Sequence, residues 1–311
     1  MKKNFIITID TESDNQWNSE HEQSTENARF VPRFQELCEK YAFKPVYLID
    51  YSMANSGFLV EYLSDCLKRN TCEIGMHLHA WDTPPSHPFD KCNYARPYLI
   101  EYPESVIDEK IKVMDNLLAS KFAVKPVSHR AGRWATNEYY IDTLEKNGYL
   151  VDCSFTPGIN WAKAGGYKSG GSDYSSETLA AKLIGTQKKI LEVPMSIKRM
   201  HRFHSPVKAI DYLKQPAKYI IGSHYWLRPA LSSVEDMLYI TDNNENDFAE
   251  FMMHSSELMP GGSPYFKSEE DIEKLYYNLE NMFNEIHKIY IGVTLKEYRS
   301  KFLDKKITIT E

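Results

Sequence analysis

The chain has 311 residues, 42% of them hydrophobic and 26% charged, enough for one large α/β barrel or two ordinary domains around a substantial core. A net charge of −6 argues against nucleic acid as the main partner. No apolar run approaches the roughly 18 residues of a membrane span. The apolar run after Met1 breaks at Asp10, too early for a signal-peptide core, so a cytoplasmic protein is expected. The five cysteines (Cys38, Cys66, Cys72, Cys92, Cys153) are scattered and odd in number, without a C-x-x-C pair, as expected of reduced thiols.

Residues 4–10 form a near-continuous apolar run ending in acid, the pattern of a strand buried on both faces. Asp10, Glu12 and Asp14 follow where that strand opens into a polar loop, and period-two alternation puts Asp10 and Glu12 on one face. A helical pattern over 25–41 carries Phe30, Phe34, Leu37 and Tyr41 on one stripe. Residues 45–51 read as a second strand and 58–69 as a second helix. The third strand, 72–81, ends in His77 and His79. These two share a face, roughly 7 Å apart along the backbone, and imidazoles so placed form half of a metal site. Strands and helices alternating at this spacing indicate parallel βα units, whose ligands gather at the carboxyl ends of the strands.

A long loop over 82–103, rich in proline and aromatics, reads as a packed segment on the substrate side, with His87 on its surface. A helix over 105–122 precedes a short strand at 126–131 that carries Arg130 to a third carboxyl end, where its charge would keep a carboxylate ionised. His129 alternates to the opposite face and reads as structural. A helix at 138–147 closed by Gly148 leads to a strand at 150–155. The Gly/Ser-rich stretch 157–187 reads as flexible loop. Further strands are expected at 190–194 and 219–222, followed by His224, Tyr225, Trp226 and Arg228, whose rings and guanidinium would line a subsite. The basic cluster 198–202 reads as a solvated face. A helix at 231–240, a late strand ending at His254, a long amphipathic helix at 268–289 opened by a serine cap, and a short terminal helix complete the chain.

The polar groups at the inferred strand ends are Asp10, Glu12, His77, His79, Arg130 and His254. Two histidines and a carboxylate leave room on a divalent ion for water and substrate, as in catalytic metal sites. A second carboxylate held ionised by an arginine can act as general base, and a remaining histidine as general acid. This set suffices for hydrolysis of an amide or ester carbonyl. No G-x-S-x-G nucleophile motif is present.

The order Thr8-Ile9-Asp10-Thr11-Glu12, Glu73 to His79, His129-Arg130-Ala131-Gly132-Arg133-Trp134 and Met253-His254-Ser255 resembles the NodB-type polysaccharide deacetylases, carbohydrate esterase family four. More narrowly, it resembles their divergent branch in surface-polysaccharide (O-antigen) gene clusters. The resemblance implies an α/β fold, a distorted seven-stranded (β/α) barrel forming a single domain, its core over about 4–260 and a C-terminal helical extension over 268–311. It implies Asp10 as general base, Arg130 as its tether and His254 as general acid. Thr11 stands where the family has its second acid, so Glu12 is the expected replacement as metal ligand beside His77 and His79. Those histidines are two apart, where the family spaces them four apart. Trp81, Trp134, Tyr225 and Trp226 are expected to bind substrate.

The expectation is a divalent-metal hydrolase, zinc first, with nickel, cobalt or manganese as alternatives. It would remove an N-acetyl or N-formyl group from a small or lipid-linked sugar in surface-glycan assembly. Rival readings are hydrolysis of a non-sugar C–N bond on the same barrel, and a non-catalytic carbohydrate-binding relative.

Overall fold

Strand β1 (Lys3–Thr11) is buried along nearly its whole length, because it is paired on both edges and covered on both faces. In the computed structural model, residues 2–14, 16, 23–89, 96–167, 170–200 and 223–310 are described. Parallel βα units follow in the expected order: α1 (Val31–Lys40), β2 (Val46–Ile49), α2 (Gly57–Lys68), β3 (Glu73–Leu78), α3 (Glu104–Phe122), β4 (Ser128–Ala131), α4 (Glu138–Lys146) and β5 (Val151–Asp152). After them come β6 (Lys182–Ile184), β7 (Ile190–Glu192), β8 (Ile197–Met200), β9 (Ser223–Trp226), α5 (Val234–Asp242), β10 (Phe248–His254), α6 (Glu269–Ile289), β11 (Tyr290–Gly292) and α7 (Leu295–Thr310).

The sheet runs β10-β1-β2-β3-β4-β5-β7 with every pairing parallel, and β6 adds an antiparallel edge. It is a curled, mainly parallel half-barrel; among the described residues β10 pairs only with β1. Backbone of the chain after β7 bridges toward β10 instead. Met252 N donates to the Leu227 carbonyl at 3.2 Å, and Glu250 N donates to Ser196 Oγ at 2.9 Å. β11 pairs with the start of β1, at Lys3–Phe5, and β2 pairs with its end.

Several expected elements differ in extent. The helix expected over 25–41 begins as a 3-10 turn, Glu26–Phe30, and becomes α-helical where Pro32 sits in the first turn. The Gly/Ser-rich stretch is not wholly loop. It contains β6, and Trp161 N and Tyr174 N donate to the Ser172 and Ile159 carbonyls at 3.0 and 2.9 Å, so turns pack back on one another. The basic run 198–200 lies in β8, paired with β9 in a separate two-stranded ribbon. The terminal helix is longer than expected. The strand expected at 219–222, Cys92 and residues 201–202 lie outside the described residues. The other four cysteines are buried and free. No helix among the described residues is long and apolar enough to cross a membrane.

Period-two alternation sorts the interior into layers. At the amino end, Ile6, Val46, Leu48, Val151, Leu191 and Phe248 form an apolar cluster that Val293, Leu295 and Tyr298 close from below. One step up lie Thr8, Arg130 and Glu250, and at the carboxyl ends Asp10, Asp50, His77, His79 and His254. The alternate set, Phe5, Ile7, Ile9, Tyr47 and Ile49, packs outward against the helices. Gly75 belongs to the inner set, where a Cβ would lie 2.5 Å from Leu48 Cδ2 and 2.7 Å from the Ser128 carbonyl oxygen. Gly75→Ala is therefore expected to cost about 1–3 kcal/mol through overpacking between β2 and β4. A urea-unfolding midpoint unchanged by this substitution would refute the close approach.

Candidate active site and metal centre

Parallel register brings distant residues together at the carboxyl ends. Asp10 lies directly opposite His254 on β10, and His77 directly opposite Arg130 on β4. Glu12 stands just past the end of β1, 4% exposed, and its Oε2 lies 3.2 Å from His79 Nε2 and 3.6 Å from His77 Nε2. His77 is locked in orientation. Its Nδ1 donates to the Arg130 carbonyl at 3.0 Å, and a carbonyl only accepts, so the Nε2 lone pair faces Glu12. His79 is held by the chain beyond β4: a Cβ on Gly132 would lie 2.5 Å from its Cδ2, so only glycine leaves room for the ring. Trp81 stacks on the other side of that ring at 4.4 Å and 19°.

Arg130 is wholly buried, and all three of its guanidinium nitrogens donate. It donates to Asp10 Oδ1 at 2.7 Å, Glu250 Oε1 at 2.6 Å, Thr8 Oγ1 at 2.9 Å and the Cys153 carbonyl at 3.0 Å. Its charge sets the ionisation around it. Burial pushes the Asp10 carboxyl up, but Arg130, His77 and His254 together hold it below the ordinary carboxylate range. Burial opposes ionisation of Glu12 likewise, and His254, His77 and His79 hold it well below. Burial opposes charge on His79, yet Asp82 and Glu12 raise it to about 10. Asp50, wholly buried beside Asp82, is pushed up to about 8.

His254 Nε2 lies 3.9 Å from Asp10 and 3.8 Å from Glu12, facing the same space from the far side. Its Nδ1 is 2.8 Å from an Arg228 nitrogen and 3.1 Å from Glu257 Oε1. Arg228 only donates and the Glu257 carboxylate only accepts, so Nδ1 carries a proton when it bonds Glu257, and in either case Nε2 is the nitrogen that faces the site. Arg228 also donates to Glu257 at 2.6 Å, which fixes both partners.

All six strand-end residues expected from the sequence thus converge. Trp134 lies beneath the Arg130 guanidinium at 4.8 Å and meets Trp226 at 5.8 Å, and Trp161 joins them at 6.5 Å from Trp226. Tyr225 and Trp226 alternate in face on β9, and both are buried within the core cluster. His129 is structural: its ring bonds Asp152 at 2.6 Å and the Tyr140 hydroxyl at 2.7 Å. His87 sits among Phe89 and Tyr102 in the loop after β3. Sequence reasoning missed Asp50, Asp82, Glu250 and Glu257. Asp50 was within reach of the alternation rule, since Val46, Leu48 and Asp50 share a face. The others depend on contacts across the fold.

The donor set fits a divalent ion. Ligand atoms bonded at about 2.0–2.2 Å in a tetrahedral site lie roughly 3.3–3.6 Å apart, and Glu12 stands 3.2 and 3.6 Å from the two imidazoles. All three side chains are buried, and one atom from each lies within 4.8 Å of the other two.

No family model matches the sequence, and no curated protein matches it. Solved structures do. A protein from Mycobacterium smegmatis provisionally described as a polysaccharide deacetylase aligns over 98% of this chain and 92% of its own, with a TM-score of 0.58 and 12% identity. A 4-α-glucanotransferase from Thermococcus litoralis aligns over 97% of this chain and 40% of its own, at 0.57 and 15%. An α-amylase from Thermotoga maritima aligns over 96% and 74%, at 0.55 and 10%. At these identities the likeness establishes the fold alone.

Replacing Arg130 would strand Asp10 and Glu250 as buried carboxyls without a counter-charge. Arg130→Met is expected to lower stability by about 3–5 kcal/mol, read from denaturant unfolding. A loss under 1 kcal/mol would show that the ion pairs contribute little.

Proposed function

We propose that the chain is a metal-dependent hydrolase that removes an N-acyl group, acetyl or formyl, from a sugar used in surface-polysaccharide assembly. One observation carries the reading: a two-histidine, one-carboxylate donor set, an arginine-tethered carboxylate and a histidine share one space at the carboxyl ends of a half-barrel. The order of these residues along the chain, which resembles the NodB-type deacetylases, supports a sugar amide as substrate, as does the M. smegmatis fold neighbour. The substrate is a small or lipid-linked sugar.

Glu12, His77 and His79 would hold the ion, and a borderline set of two nitrogens and one oxygen suits zinc. A divalent cation there supplies Lewis acidity, acidifying water and polarising an acyl oxygen. The chain's own groups do the rest. Asp10, kept ionised by Arg130, accepts the proton of the attacking water at Oδ2, the oxygen not bonded to the guanidinium. Protonated on both nitrogens, with its Nδ1–H turned to Glu257, His254 gives the Nε2 proton to the departing sugar amine and is left neutral. Glu257 and Arg228 hold the ring so that this nitrogen faces the site. Trp81, Trp134 and Trp226 offer rings against which a sugar packs.

Acetate release from N-acetylated glucosamine oligosaccharides, assayed before and after chelation and after adding zinc back, tests the proposal. Asp10→Asn is expected to keep metal and lose activity by about 10²- to 10⁴-fold. His79→Ala is expected to lose metal and activity together. Full activity in either variant, or activity indifferent to chelation, would overturn these roles.

A further inference from the structure

The His79 ring has two nitrogens, and the proposed hydrolytic site uses only Nε2. Nδ1 faces the other way, 3.9 Å from Asp50 Oδ2 and 3.7 Å from Asp82 Oδ2. These separations are too long for hydrogen bonds, which put such atoms at about 2.7–3.2 Å. They match neighbouring ligands of an ion with bonds of about 2.3–2.6 Å, which lie roughly 3.3–4 Å apart. One ligand atom from each of the three residues lies within 4.8 Å of the other two.

Two buried atoms aimed into this space have no hydrogen-bond partner: His79 Nδ1, on a side chain 4% exposed, and Asp82 Oδ2, on a side chain 10% exposed. A buried donor or acceptor left so costs about 1–3 kcal/mol, and a shared cation satisfies both. The carboxylates are also held in place. Asp50 accepts from Met53 N at 2.7 Å and Ser13 N at 3.1 Å, and Asp82 Oδ1 accepts from Thr83 Oγ1 at 3.1 Å. Among the described residues, no lysine or arginine forms an ion pair with either. Lys110 lies nearby, but its ammonium is bound to the Thr83 and Pro85 carbonyls. Arg130 is bound to Asp10 and Glu250. Arg96 and Lys110 act on Asp82 only through space, so a cation among Glu12, His77 and His79 leaves the two carboxyl groups and His79 Nδ1 with no cation bonded to them among the described residues.

We infer that Asp50, Asp82 and His79 Nδ1 form a second cation site, joined to the first through the His79 ring, for an oxygen-preferring divalent ion of the calcium or manganese class. One metal needs only the neutral ring, whereas ligation through both nitrogens makes it an imidazolate whose last proton passes to solvent. Trp81, stacked on the ring, shields the bridge from water. The inference shares His79 with the proposed hydrolytic site and rests on that reading only there.

Chelator-stripped full-length protein, reloaded with zinc and manganese and freed of excess, would be counted for metal per chain by mass spectrometry. Two ions are expected in the native protein, one in Asp82→Asn and one in Glu12→Gln, with circular dichroism checking that each variant folds. The native count does not depend on any variant. One ion in the native protein and one in Asp82→Asn would overturn the second site and leave the first standing. One ion in the native protein and in Glu12→Gln, with none in Asp82→Asn, would overturn the first and support the second. No bound metal in the native protein would overturn both.

Discussion

The structure depends on a single buried cation. Arg130 is sealed from solvent, and removing a guanidinium from water is costly unless every donor finds an acceptor. Here each of its three nitrogens finds at least one: Asp10 on β1, Glu250 on β10, Thr8 on β1 and the Cys153 carbonyl after β5. One side chain thereby ties four strands, far apart in sequence, at mid-height of the half-barrel. Its charge also lets Asp10 stay ionised in a place where burial alone would favour the neutral acid. Architecture and acid–base chemistry thus share one interaction, and neither can be altered without the other.

The layering of the interior follows from that interaction. Below Arg130 the inner face is apolar and closed by Val293, Leu295 and Tyr298; above it the inner face turns to carboxylates and imidazoles. A low-dielectric floor beneath a charged layer strengthens every electrostatic contact above it. Second partners then limit how each imidazole can act. The Arg130 carbonyl fixes His77 with its lone pair inward, while Arg228 and Glu257 hold the His254 ring by Nδ1 so that Nε2 points inward. Two histidines of the same chemical type are thereby held differently by the groups behind them, in keeping with the ligand and acid roles proposed for them.

Much of this was legible in the chain. The apolar run ending at Asp10, the alternation that pairs His77 with His79, and the position of Arg130 after a short strand are local patterns, and parallel βα spacing predicts that such ends meet. The reading fell short where partners are non-local. Glu250 lies within an apolar strand, and nothing near it in sequence indicates that its counter-charge is Arg130, 120 residues away. Glu257 and Asp82 sit in segments after strands, where acids commonly cap turns, so their aim at imidazoles could not be seen. The Gly/Ser-rich stretch was misread because composition reports chain flexibility, whereas the edge pairing of β6 with β7 supplies hydrogen bonds that override it.

The sequence by itself determined which side chains share a face, because alternation in a strand is a property of the local backbone. It thereby specified the candidate site residues and the α/β class. Only the tertiary structure decided the register that sets Asp10 against His254 and His77 against Arg130. It alone revealed that His79 faces acids on both sides and that the sheet curls into a mainly parallel half-barrel among the described residues. Those outcomes come from packing and from counter-charges between distant segments, which no local stretch of sequence encodes.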